Sequence, residues 1–162
     1  MQIKITKRGR RNEMRCVRPD GSHEVANLGP GLPHHDLAHF VIERRWRLRE
    51  GFFGNIAGGY SFAQLSDKDV IKKLGAQSAQ AEVLARALGL RFTGASTAEQ
   101  FAELVNSELG QWHWPTVPVS PAMVQGAAEE FEQLLAQFKN LGDGASLELQ
   151  FEVSPLSPAH RA

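Results

Sequence analysis

The segment LELQFEV, Leu147 to Val153, alternates apolar and polar side chains without a break. Leu147, Leu149, Phe151 and Val153 point one way and Glu148, Gln150 and Glu152 the other, the period of a strand with one buried face. The chain before it reads as helix back to Pro33, so no partner strand lies nearby in sequence. A lone strand would leave its backbone donors and acceptors unpaired. It must therefore join strands at the opposite end of the chain.

Such strands are present. Ile3 and Ile5 alternate with polar residues, and KRGRRN supplies a turn around Gly9. EMRCVR and HEVANL flank RPDGS, where proline presets φ and glycine accepts a positive φ. This predicts a hairpin over about residues 12–28. Strands, then helices, then a strand is the order of an α+β fold. The expectation is a small antiparallel sheet of N-terminal strands plus the C-terminal strand, packed against four to five helices. One domain should span 1–153, with a loose tail over 154–162.

The helices are read from apolar spacing and end signals. The first should run from Pro33 or His34 to Arg49 and stop at Gly51. GFFGNIAGGYSF, with four glycines, suits either a close-packed helical piece or a loop. Ser66 and Asp69 resemble a capping box opening a short helix with Val70, Ile71 and Leu74. AQSAQAEVLARALGL should close at Gly89. Ser96 and Glu99 form a second capping box, before a stripe of Phe101, Leu104, Val105 and Leu109. Pro115, Pro118 and Pro121 stiffen a linker whose WHWP tryptophans read as core plugs. Ser120 then caps a long helix carrying Val124, Ala127, Phe131, Leu134, Leu135 and Phe138.

Charge narrows the possible partners. The net charge is zero, but residues 1–49 hold eleven Lys and Arg against five Asp and Glu, and the remainder seven against thirteen. The basic half suits either a solvated face or an anionic partner. Lys7, Arg8, Arg10 and Arg11 would be the phosphate contacts of a nucleic-acid binder, the less favoured reading beside a protein partner or a second copy of the chain. The basic N-terminus lacks the apolar stretch of a secretory signal, no apolar run is long enough to span a membrane, and the single cysteine, Cys16, rules out an intramolecular disulfide. These features fit a cytoplasmic protein. No nucleophile elbow, P-loop or dinucleotide fingerprint occurs.

The stretch with specific chemistry is LPHHDLAHFVIERRW, Leu32 to Trp46. His35 and His39 stand one helical turn apart, so two imidazoles can share one metal ion. His34 falls on the apolar side, Asp36 and Glu43 on the polar side. The string His35-Asp36-Leu37-Ala38-His39 resembles the HExxH helix of zinc-dependent metallopeptidases, with Asp for Glu. The resemblance implies zinc or another divalent metal on His35 and His39, and Asp36 as the group acting on the metal's water. PHHDLAHFVIE followed by GFFG also resembles a block in small uncharacterised bacterial proteins, which implies no particular activity. Glu43 cannot share a metal with His35, since eight residues of helix separate them by about 12 Å. A third ligand must come from elsewhere, with His34, His23, Cys16 and His113 as candidates. The competing reading is structural: each imidazole pairs with a carbonyl or carboxylate, and no third donor converges.

Overall fold

The computed structural model describes residues 1–152. Three strands, β1 (Gln2–Thr6), β2 (Asn12–Val17) and β3 (His23–Gly29), precede the helices α1 (His34–Trp46), α2 (Phe52–Ala57), α3 (Phe62–Leu65), α4 (Lys68–Ile71), α5 (Ala76–Phe92), α6 (Ala98–Gln111) and α7 (Pro121–Asn140). Strand β4 (Ser146–Gln150) follows. The class is α+β as expected. The described residues form seven helices, four long and three of one or two turns, rather than four to five.

The sheet is antiparallel in the order β3-β2-β1-β4, with the first and last strands of the chain adjacent. Register explains the pairing. Ile3 lies between Cys16 and Leu149, and Ile5 between Met14 and Leu147, so both rows put apolar side chains on one face. The other face carries Lys4 beside Arg15 and Glu148. A slip of one residue would turn every apolar side chain of a strand to water. Past β4 the alternation continues: Phe151 is buried, its N–H donates to the Met1 carbonyl (2.9 Å), and the Met1 amine donates to the Phe151 carbonyl (2.8 Å). Val153 and the expected tail lie outside the described residues.

Both hairpin turns form where expected. Gly9 and Gly21 have positive φ, and Asp20 accepts from the Ser22 N–H and hydroxyl. Lys7 is committed to the fold: its ammonium donates to the carbonyls of Lys139 and Leu141 (2.8 and 2.7 Å), satisfying acceptors at the end of α7. Arg8, Arg10 and Arg11 are exposed.

Helix α1 packs against both α5 and α7, and α5 also against α6. Several boundaries differ from the sequence expectation. Helix α1 ends at Trp46, three residues early, with Arg47 in the left-handed region (φ 55°) and Leu48 N–H bonded back to Glu43 O. Helix α5 runs through Gly89 to Phe92. An interior glycine costs about 1 kcal/mol, which the packing of Phe92 against Phe131 (5.4 Å) and His34 (5.8 Å) offsets. The first capping box is Ser61–Gln64, and Ser66 instead donates to Phe62 O. Asp67 caps α4. The second box is Thr97–Gln100, one residue beyond the overlapping Ser96–Glu99 pattern. Ser120 caps α7 as expected, with Pro121 in its first turn. The GFFGNIAGG stretch is helical, and Gly54 packs where a Cβ would collide with Arg49 O. Trp112 and Trp114 are not core plugs but exposed, and Leu104 of the α6 stripe is 43% exposed.

The central row gives a direct test. Ile5 is fully buried between Met14 and Leu147, whereas Lys4 faces solvent. Ile5→Ala should cost about 2–5 kcal/mol through lost burial and a residual cavity. Lys4→Ala should change stability by no more than about 0.5 kcal/mol. Urea denaturation of both variants checks the contrast.

Candidate metal centre

Helix α1 buries Leu37, Ala38, Val41 and Ile42 and leaves its first turn at the surface. His34 is exposed rather than buried, and its Nδ1 donates to Leu32 O (3.1 Å). Along the helix solvent fades quickly: the side chains of His35, His39 and Glu43 are 57%, 5% and 0% exposed. Glu43 is therefore a core group and not part of the polar face.

His35 and His39 stack edge-on, ring centroids 4.7 Å apart, and both meet a carboxylate from α5. Glu82 Oε2 lies 3.4 Å from His35 Nε2 and 3.1 Å from His39 Nε2. One donor atom from each of the three residues falls within 4.8 Å of the other two. In a tetrahedral zinc site with bonds of 2.0–2.2 Å, neighbouring donors are about 3.3 Å apart. Two of the three edges already have that length. The three side chains could hold a metal ion, and all three line one cavity.

The other nitrogen of His39 is fixed by Glu43. His39 Nδ1 donates to Glu43 Oε1 (3.1 Å), which also accepts from Phe53 N–H (3.3 Å), while Oε2 accepts from Gly54 N–H (3.1 Å). A Cβ at Gly51 would overlap the Glu43 carboxylate, so the close return of the chain onto Glu43 requires glycine there. A carboxylate behind a ligating imidazole fixes its tautomer and raises its basicity. Nδ1 keeps its proton, and Nε2 faces Glu82 and the metal position.

Electrostatics follow from these contacts. Burial pushes the His39 imidazolium down, but hydrogen bonds to Glu43 and Glu82, with the charge of both carboxylates, outweigh it and raise its pKa to about 9. Hydrogen bonds from His35 and His39 hold the Glu82 carboxyl well below the usual range, against a smaller effect of burial. Without metal, His39 is thus a cation between two carboxylates. A metal ion bound there would take the place of the Nε2 proton, with the Nδ1 proton still donated to Glu43.

Asp36 lines the same cavity as the triad, walled by Phe52, Leu65, Leu74 and Trp114. Burial raises the pKa of its carboxyl, opposed by the charges of His35 and His39. The expected third ligands are elsewhere. Cys16 is buried in β2, its thiol pushed up to about 12 chiefly by burial; His23 is exposed at the start of β3, and His113 is exposed after α6. Glu82 takes their place. One signal marked it: Glu82 is the sole charged residue between Gly75 and Ala85, in a stretch otherwise suited to burial. Comparison with protein-family models, curated proteins and solved structures finds no match to this chain.

The raised pKa of His39 predicts how the metal-free protein responds to pH. Its contribution to stability is fully present below the unfolded-state value of 6.5 and is lost as pH rises through about 9. The loss should be on the order of 3 kcal/mol. Glu82 acts oppositely, contributing above its ordinary range and losing that contribution in acid. Thermal denaturation of chelator-treated protein should show a decline from pH 6.5 to 9.5 that His39→Gln flattens.

Proposed function

We propose that this chain is a zinc protein with hydrolytic chemistry, its metal held by His35, His39 and Glu82 and its water acted on by Asp36. The observation that carries this reading is the convergence of three donor atoms within 4.8 Å of one another, with the inner imidazole already oriented by a buried carboxylate. Two imidazoles and one carboxylate form a donor set that in catalytic zinc sites leaves one position to water. Bound zinc would supply Lewis acidity and lower the pKa of that water toward neutrality.

The chain's own groups supply the remainder. Asp36 follows His35 directly and faces the same cavity. Its raised pKa makes it a stronger base than an ordinary aspartate, suited to taking a proton from water and passing it to a leaving group. Phe52, Leu65 and Trp114 give that cavity an apolar wall. This is the role the resemblance to the HExxH helix assigns to the residue after the first histidine, with a shorter side chain.

Untagged protein should retain or take up one zinc per chain by elemental analysis and calorimetry. His39→Ala and Glu82→Gln should each lose at least tenfold in affinity, and chelation should lower the melting temperature of the parent. Because binding displaces the Nε2 proton, affinity should rise about tenfold per pH unit between pH 7 and 8.5. Asp36→Asn should keep its zinc but hydrolyse 4-nitrophenyl acetate about a hundredfold more slowly. Zinc uptake indifferent to His39→Ala would overturn the metal reading and leave the triad as an ion-pair clamp between α1 and α5. Retained zinc with unchanged hydrolysis in Asp36→Asn would overturn only the role of Asp36.

A further inference from the structure

The sheet has two edges, β3 and β4, and among the described residues no strand pairs with the outer side of either. An edge strand presents a row of free amides and carbonyls, which proteins commonly guard with charge. The turn at Gly21 fixes which groups are free on β3. Arg18 N–H donates to Ser22 O (2.8 Å), so these two residues form a hydrogen-bonded pair. Such pairs alternate along an antiparallel ladder. Val17 lies opposite His23, Cys16 opposite Glu24, Arg15 opposite Val25, Met14 opposite Ala26 and Glu13 opposite Asn27. Glu24 and Ala26 therefore turn their backbone groups to β2. The N–H and C=O of His23, Val25 and Asn27 point outward.

The two edges differ in their guard. On β4 the Met1–Phe151 pair sets the alternation, so Glu148 and Gln150 carry the outward groups. Glu148 and Glu152 put two like charges along that edge, which opposes a second copy. On β3 the outward residues His23, Val25 and Asn27 are all exposed, and none is an acid, a lysine or an arginine. Val25 is a large apolar side chain left 45% exposed.

The β3 edge is also self-complementary. Two copies laid antiparallel about a two-fold axis at Val25 pair all three outward residues at once. Val25 meets Val25 of the second copy, and His23 meets Asn27 in both directions, with about six backbone hydrogen bonds. Moving the axis one residue in either direction leaves outward groups unpaired, and moving it toward the turn sets Glu24 against Glu24. We propose that the edge of β3 is a homodimer surface, joining two sheets into one continuous sheet through β3–β3 pairing centred on Val25. One short strand from each copy buries less than the area of a standard stable interface, so the dimer is weak and forms only at high micromolar concentration. The proposal is independent of the metal reading.

Sedimentation of the full-length chain between about 5 and 500 µM tests it. The mass should pass from 17.9 kDa toward twice that value. Val25→Lys and Val25→Glu, at an exposed position, should each stay monomeric over that range with a melting temperature close to the parent's, because each sets like charges against one another across the axis. An equimolar mixture of the two variants should dimerise at least tenfold more tightly than either alone, since an ammonium then faces a carboxylate. A parent that stays monomeric at the highest concentration would overturn the proposal and leave the edge to a strand of another protein. A parent dimer that neither variant disrupts would place the contact elsewhere, and a mixture no tighter than its components would exclude the register centred on Val25; either result overturns the proposal.

Discussion

A carboxylate with no access to water sits at the centre of this molecule. Glu43 is fully buried, and an ionised carboxylate in such a place is tolerated only when hydrogen-bonded and offset in charge. His39 supplies the opposite charge, and the amides of Phe53 and Gly54 supply the remaining donors. The local chain path follows from that demand. Helix α1 must stop one turn after Glu43, so Arg47 adopts a left-handed conformation and the backbone reverses. The returning segment must come close enough for its amides to reach the carboxylate, so position 51 cannot carry a Cβ. Truncating Glu43 would leave two amides and the His39 Nδ1 without partners, a loss of about 3–5 kcal/mol for a buried pair broken on one side.

The same contact orders α1 along its length. His35 is reached by solvent, His39 is nearly closed off, and Glu43 is enclosed. The outer residue is open to solvent, the middle one is nearly enclosed, and the inner residue fixes the orientation of the middle. Helical geometry makes this possible, since residues four apart share a face. Glu82 arrives from α5, whose packing against α1 is apolar on both sides: Ala81, Leu84 and Leu88 against Leu37, Ala38 and Val41 are all buried. Hydrophobic burial thus sets the height at which the carboxylate meets the two imidazoles, and the electrostatics need only orient it.

How much of this was legible in the sequence depends on the range of the interaction. Strand alternation is local, and the rule that backbone groups must pair forced the first and last strands together, so the sheet could be read. Helix ends were less legible where two capping patterns overlapped, as at Ser96–Glu99 and Thr97–Gln100, because a shift of one residue leaves both templates satisfied. Helical spacing puts Glu43 with Asp36 on the polar side of α1, yet the structure buries it, because the chain after α1 folds back over it. Its neighbours on α1 gave no sign that amides ten residues on would cover it. The pair His35 and His39 could be read from helical spacing. Glu82 stands out as a lone charge in its stretch but could not be assigned to the histidines, because its closeness to them arises from the crossing of two helices, and it lies 43 residues from His39 in sequence.

The structural and metal-binding readings of the histidines share one geometry. The carboxylate that pairs with both imidazoles would be the third donor. What distinguishes the readings is the charge that Glu43 and Glu82 require. These two carboxylates face His39 from opposite sides, and something positive must lie between them. Below about pH 9 the second proton of His39 supplies one positive charge. A divalent ion at Nε2 would supply two while the proton on Nδ1 stays hydrogen-bonded to Glu43, raising the net charge of the cluster by one. That change would be met on the exposed side of the cluster, where Glu82 is half open to solvent. The positive charge the two carboxylates require comes from the His39 proton, and a metal ion at Nε2 would meet the same requirement.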